Sequence, residues 1–281
     1  MSKPITYAFK DFIVNGMGAD LVRLIKILYY CNKNNLILHL LGKDDKWLLV
    51  PEKSDVGQNW LYYYEPSIPI DNNGLYPHIT ENYLEEADNI KISETEPFEH
   101  FSFLLKSIYK PNREMLYKKN KLLEKFNFLN SGNYIAIHIR RGDKTSGPWR
   151  EGNIIQLDEY LDSLRTILDR TPSTIKYVYI ATDSDEVINE IQTKKLPNIT
   201  FIYDFEENRR DGYVYKLYKK SMNDIDKEDE IITFMKNIDL LVGAYEIIGS
   251  RMSFFFIVAE LLRGKKGISL SNNLFYPVNF Y

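Results

Sequence analysis

The stretch Tyr134-Ile-Ala-Ile-His-Ile139, followed at once by Arg140-Arg141-Gly142-Asp143-Lys144, decides how the rest of the chain is read. Six residues apolar but for His138 suit a strand buried on both faces, as strands of parallel sheets are. Directly after it come two arginines, an aspartate and a lysine at a glycine- and proline-containing loop. In open α/β sheets ligands bind beyond the carboxyl ends of the strands. A cluster issuing from such an end is a local cationic pocket, and guanidinium forks match phosphate oxygens two at a time, so a diphosphate is the expected guest. The competing reading is a set of ion pairs on a surface loop.

Moving toward the C-terminus, Leu157, Tyr160, Leu161, Leu164 and Leu168 recur at helical spacing. Tyr177 to Ile180 then reads as a strand, Asp185 to Gln192 as a helix and Ile199 to Tyr203 as a strand. A helix around Glu230 to Lys236, strand-like runs at Leu240 to Val242 and Glu246 to Ile248, a helix from Met252 to Arg263 and a short strand at Ile268 to Leu270 close the order. Such alternation predicts a parallel sheet with helices on its faces.

Toward the N-terminus, Phe12-Ile13-Val14 reads as a strand, Asn15-Gly16-Met17-Gly18 as a tight turn, and Leu21, Leu24, Ile25 and Leu28 as one helix face; Leu36 to Leu41 reads as a second strand, completing a βαβ unit. Residues 43–97 are irregular and rich in proline and aromatic residues, including Trp47, Trp60 and Tyr62 to Tyr64. Residues 98–126 read as helical with an interruption at Pro111, with Phe103, Leu104, Ile108, Leu116, Leu122 and Leu123 facing a core. The expectation is an α/β protein of two Rossmann-like halves, residues 1–130 and 131–281, joined near 127–132.

Composition narrows the function. The 281 residues carry 36 Lys and Arg against 39 Asp and Glu, a net charge of -3 that supplies no basic field for a polyanion, so no nucleic-acid partner is expected. The lone cysteine, Cys31, excludes an intramolecular disulfide, and with four histidines there is little material for a thiolate or imidazole metal cage. The longest apolar run, Phe254 to Ala259, is far short of the roughly 20 residues of a membrane span. No secretory signal is read in residues 1–30. A cytoplasmic location is expected.

The motifs resemble those of a known family. His138-Ile-Arg140-Arg141-Gly-Asp143 is similar to the H-x-R-R-x-D motif of the α-1,6-fucosyltransferases, the group that includes the core N-glycan and bacterial nodulation enzymes. Tyr177-Val-Tyr-Ile-Ala-Thr182-Asp183 resembles the family's Y-L-A-T-D strand end, and Asp239-Leu-Leu-Val242 with Ile248-Gly-Ser250-Arg-Met-Ser253-Phe254 lies near its serine-rich third motif. The resemblance covers roughly residues 133–265. Gly16-Met17-Gly18 is similar to the glycine turn that opens the family's N-terminal domain; a plain strand-to-helix turn is the other reading.

This resemblance implies a GT-B-like architecture, two Rossmann-like domains facing across a cleft, and an inverting transfer of L-fucose from GDP-β-L-fucose to a carbohydrate acceptor without metal or other cofactor. It implies that Arg140 meets the β-phosphate with Arg141 in support, and that His138 lies near the nucleotide. Lys144, Asp183, Ser250, Ser253, Gly16 and Gly18 complete the implied donor site; a structural histidine at 138, a helix cap at Asp183 and a plain N-cap at Ser250 or Ser253 are the competing readings. Glu151 is the implied base for the acceptor hydroxyl, although its spacing is longer than in the family; Asp143 is the alternative, or else a partner orienting Arg140 or Lys144. Trp60 and Tyr64 are the acceptor candidates, weighed against plain core aromatics. Counting back from Asp239, the family's guanine-recognising aspartate falls on Ile231, beside Asp229 and Glu230, so either the helix register shifts or guanine is read differently.

Two rivals stand beside this reading. Asp183-Ser184-Asp185 is a D-x-D at a strand end, the pattern that ligates Mn²⁺ or Mg²⁺ in metal-dependent transferases of other nucleotide sugars, and it also reads as an acidic helix start. The second is a nucleotide-sugar-binding protein without catalysis. Arg209 and Arg210, with Lys216, Lys219 and Lys220, are either solvated surface or the rim of the donor site.

Overall fold

A computed structural model of the chain describes residues 6–9, 17–34, 37–40, 64, 98–141, 154–209 and 224–270. The expected strand at Phe12 to Val14 and the irregular stretch from Lys43, Tyr64 apart, lie outside them. Two compact units result, residues 1–119 with 215–232 and 275–281, and residues 120–214 with 233–274.

The first unit begins with strand β1 (Thr6–Phe9), helix α1 (Met17–Lys33) and strand β2 (Ile37–Leu40); β1 and β2 pair in parallel, as the βαβ pattern requires. The helix is buried nearly all round, with Leu21, Leu24, Ile25 and Ile27 at 0% exposure, and even Arg23 and Lys26 are buried. Helix α2 (Phe98–Ile108) packs beside it, with the Phe101 ring 5.0 Å from that of Tyr29. Helix α3 (Arg113–Leu123) follows the break at Pro111. On α2 the buried stripe is Phe101, Leu104, Leu105 and Ile108, an i, i+3, i+4, i+7 set. Phe103 sits off that stripe and is 65% exposed, and on α3 Met115 turns inward while Leu116 is 42% exposed, so neither faces a core as expected.

The second unit is built on strand β3 (Tyr134–Ile139), helix α4 (Leu157–Leu168), strand β4 (Tyr177–Thr182), helix α5 (Asp185–Thr193) and strand β5 (Thr200–Ile202). Helix α6 (Asp224–Val242), which belongs to this unit from residue 233 on, returns the chain to strand β6 (Glu246–Gly249), helix α7 (Phe254–Arg263) and strand β7 (Ile268–Ser269). All five strands are parallel, in the order β5-β4-β3-β6-β7. The run Leu240 to Val242, read as a strand, is the last turn of α6. An apolar triplet does not separate a strand from a buried helix, and the longer phase of Ile231, Met235, Ile238 and Leu241 is helical.

Side-chain alternation along β3 divides the core. Ile135, Ile137 and Ile139 face one side with Val178 and Ile180, packed by Leu157, Leu161 and Leu164 of α4 and Val187, Ile188 and Ile191 of α5. The opposite face carries Tyr134 and Tyr179, whose hydroxyls donate to the Leu240 carbonyl (2.6 Å) and the Asn237 carboxamide oxygen (2.5 Å) of α6. Behind β5 the buried Asp204 accepts from Lys125 and Lys236, each at 2.6 Å. Burial works against its charge, but the hydrogen bonds from Lys125 and Lys236, the Lys236 charge and the Glu206 N–H outweigh it and hold the carboxyl below its ordinary range.

Where β6 meets α7 the backbone and a ring occupy the same space. A Cβ on Gly249 would lie 2.3 Å from the ring of Phe256, which is wholly buried. Gly249→Ala is therefore expected to lower stability by about 1–3 kcal/mol through overpacking. Urea unfolding checks this: the midpoint falls with the slope unchanged, and an unshifted midpoint would mean that the ring can yield.

Candidate active site

The order of strands fixes where a ligand can bind. From β3 the chain first builds outward through β4 to β5, then returns to the other side of β3 to place β6 and β7. At that reversal the helices that follow β3 and β6 lie on opposite faces of the sheet, α4 on the isoleucine face and α7 on the His138 face, which is the point where open α/β sheets bind ligands. Arg140 and Arg141 leave β3 there, and Ser250 to Ser253 leave β6.

Asp183, just past β4, ties the edge together. Its Oδ2 accepts from Arg140 Nη1 at 2.7 Å and its Oδ1 from the Arg141 backbone N–H at 2.8 Å. The two arginines thus part in role. The Arg141 guanidinium turns inward and donates to the Ile155 carbonyl at the approach to α4, and the residue is buried. The Arg140 side chain stays a quarter exposed, its carboxylate partner orienting it without enclosing it. Asp183 caps no helix by itself: the cap residue of α5 is Ser184, whose N–H donates to Thr182 Oγ1 at 3.3 Å.

His138 lies on the opposite side of β3 from the isoleucines, stacked on Phe255 of α7 with ring centroids 4.8 Å apart and planes inclined by 13°. Phe234 of α6 meets the other side of this corner, its ring 5.1 Å from that of Phe255 and edge-on. Burial, and secondarily the Arg140 charge, lowers the imidazole pKa to about 3, so His138 is neutral at ordinary pH, and its Nδ1 has no hydrogen-bond partner among the described residues.

Beyond β6, Ser250 is buried, its hydroxyl accepting from the Met252 N–H at 3.2 Å and its carbonyl from the Ser253 N–H at 2.9 Å. Ser253 is the cap residue of α7, yet its side chain makes no capping hydrogen bond. Asp185, second carboxylate of the D-x-D, lies in the first turn of α5, 3.5 Å from the Arg209 guanidinium. Among the described residues no three His, Cys, Asp or Glu side chains converge as a metal cage.

Of the remaining candidates, Gly18 lies in the first turn of α1 and is buried. Tyr64 is 1% exposed, its ring 5.2 Å from that of Tyr109 in the first unit, and it bridges to Pro111. Gly16, Trp60, Asp143, Lys144 and Glu151 lie outside the described residues, as do Arg210, Lys216, Lys219 and Lys220. Ile231 is wholly buried on α6, Asp229 two residues before it is exposed and Glu230 is half-buried, so the position counted back from Asp239 holds an apolar core residue. Sequence reading missed the Phe255 platform beneath His138 and the partner of Arg251, Glu260. The signal for the latter was available: a carboxylate embedded in the apolar run Phe254-Phe-Phe-Ile-Val-Ala-Glu260-Leu-Leu262 has no solvent face to explain it.

A parallel α/β unit with cationic side chains and serines at its switch point is an arrangement suited to binding a phosphate-bearing ligand. The family model for the α-(1,6)-fucosyltransferase N- and catalytic domains matches residues 85–255, more than half of the chain, and the chain belongs to this family. It is accordingly a glycosyltransferase. No curated protein sequence matches it significantly. Among solved structures, the fucosyltransferase NodZ from Bradyrhizobium shares the fold at 13% identity, over 93% of this chain and 94% of that one, with a TM-score of 0.56. POFUT1 in complex with GDP is similar at 11% identity, over 96% and 97% of the two chains, with a TM-score of 0.54. The α/β fold with its parallel sheet is thus that of GT-B fucosyltransferases.

The neutral His138 has a measurable consequence. Its folded pKa, about 3, lies below the unfolded value near 6.5, so between those limits the unfolded chain binds the extra proton. Its contribution leaves stability untouched above pH 6.5 and erodes it as pH falls toward 3, by up to about 1.4 kcal/mol per pH unit. Urea denaturation across this range should give a shallower pH slope for His138→Gln than for the wild type; equal slopes would mean that His138 protonates in the fold.

Proposed function

We propose that the chain moves L-fucose from GDP-β-L-fucose to a hydroxyl of a glycan or glycolipid acceptor, with inversion at the anomeric carbon and without a metal. The observation that carries the reading is the Asp183 bridge to Arg140 and Arg141 at the switch point, inside the span matched by the fucosyltransferase family. NodZ has been soaked with GDP-fucose and POFUT1 crystallised with GDP, which fits the same donor here.

In this transfer the acceptor oxygen forms a bond to the anomeric carbon as the bond from that carbon to the β-phosphate oxygen breaks, and GDP departs with the electron pair. Negative charge grows on the leaving phosphate, and a preorganised cation is worth most where charge develops. Arg140, oriented by Asp183 and a quarter exposed, has that position in the proposal. Arg141, through its backbone N–H and its bond to Ile155, fixes the turn from which Arg140 projects. Ser250 and Ser253 belong to the phosphate side and His138 to the nucleotide side. The acceptor proton goes to Glu151 or Asp143.

The metal-free part is supported by what the D-x-D carboxylates already bind. Both Asp183 oxygens accept hydrogen bonds, one of them from a guanidinium, and Asp185 faces Arg209. A divalent ion there would meet the positive charge of Arg140 at Asp183 and of Arg209 beside Asp185.

The test is donor turnover with acceptor panels, with and without EDTA, in wild type and Arg140→Ala. The expected result is EDTA-insensitive turnover of GDP-fucose and a loss of about 2–4 kcal/mol in transition-state stabilisation in the variant, some 30- to 1000-fold in kcat/KM. Abolition by EDTA would replace this scheme with a metal-dependent one. Full activity in Arg140→Ala would remove the phosphate role, and donor binding without turnover on any acceptor would favour a binding protein.

A further inference from the structure

The turn between β6 and α7 is held from behind by Glu260, a residue outside every motif described above. Arg251, at the middle of that turn, reaches Glu260 on α7 through two parallel bonds, Nε to Oε2 at 3.0 Å and Nη2 to Oε1 at 2.9 Å. Glu260 Oε1 also accepts the Gly267 N–H at 2.7 Å, and the Arg251 N–H reaches Ser269 Oγ at 3.4 Å. One carboxylate therefore joins the turn, the helix that follows it and the approach to β7.

Glu260 is 2% exposed, within the otherwise apolar run Phe254 to Leu262 of α7. Burying a carboxylate is costly unless it is paired and hydrogen-bonded, and well-packed apolar residues in place of a buried ion pair commonly hold a fold as well or better. Stability alone gives no reason to keep this pair. What an apolar pair lacks is direction: the side-on fork of a guanidinium on a carboxylate has one geometry, and it sets where the Arg251 backbone lies. That backbone is flanked by Ser250 and leads two residues on to Ser253, whose side chain does not cap its own helix. The same pairing answers the Arg251 charge locally, so that this arginine is spent on the turn while Arg140 serves the crevice.

We propose that Glu260 is a positioning residue of the donor site, acting through Arg251 and the Gly267 N–H to fix the turn that presents Ser250 and Ser253 to the donor phosphates. This rests on the donor reading of the crevice. Glu260 lies beyond residues 85–255, the span that the family model matches, so the clamp is read from this chain's own contacts.

The experiment measures GDP binding by calorimetry and urea stability side by side in wild type, Arg140→Ala, Arg251→Lys and the double variant Arg251→Leu with Glu260→Leu. Arg251→Lys keeps the charge and loses the fork; the double variant exchanges the pair for apolar packing. Both are expected to weaken GDP binding about 10-fold, the size of effect carried by residues that orient a binding group, with the urea midpoint of the double variant close to wild type. The positioning role is overturned alone if wild type binds GDP, Arg140→Ala weakens it, and both clamp variants bind as wild type does. Wild-type protein that does not bind GDP would overturn the donor reading itself, and the clamp's role with it. Should the double variant not fold, Arg251→Lys decides between the same outcomes.

Discussion

Strand β3 is buried on both faces along its whole length, and that constraint orders everything around it. A chain can place charge on such a strand only where it ends. Because β3 also occupies the middle of the sheet, its carboxyl end opens where the winding direction reverses. Arg140 and Arg141 therefore emerge at the switch point of the sheet, where open α/β folds bind their ligands. Helices α4 and α5 pack on the isoleucine face, leaving the His138 face to α6 and α7. The aromatic corner of His138, Phe255 and Phe234 follows from that division.

The cations at this edge are not equivalent. Arg141 is buried against a carbonyl, Arg251 is matched by a buried glutamate, and Arg209 is held between the Asp204 carbonyl and Asp185. Arg140 is bonded to a carboxylate but keeps part of its surface toward solvent. An arginine so placed is oriented in advance and pays little reorganisation when an anion arrives.

Much of the second unit could be read from local pattern. The expected bounds of β3 are those observed, and α4, β4, α5 and β6 fall within about two residues of expectation. These elements are short, strongly periodic and bounded by turn residues. The reading failed where locality does not decide. Leu240 to Val242 has strand composition yet completes a 19-residue helix, since the phase of α6 is set over its full length. Phe103 and Leu116 are apolar yet exposed, because the side of α2 or α3 that faces inward depends on which neighbour it meets. Strand β1 carried no pattern that distinguished it.

For this protein the sequence by itself determined the fold class, the strand after which the charges cluster, and a family resemblance in the half that carries them. Periodicity and composition suffice for that, since both report on a residue's immediate neighbours along the chain. Only the tertiary structure decided that Asp183, forty-three residues from Arg140, holds its guanidinium, that Arg141 turns inward, and that a buried glutamate governs the serine turn. Partners of that kind are chosen by which strand ends lie side by side. That choice is a property of the folded sheet, and no local stretch of sequence contains it.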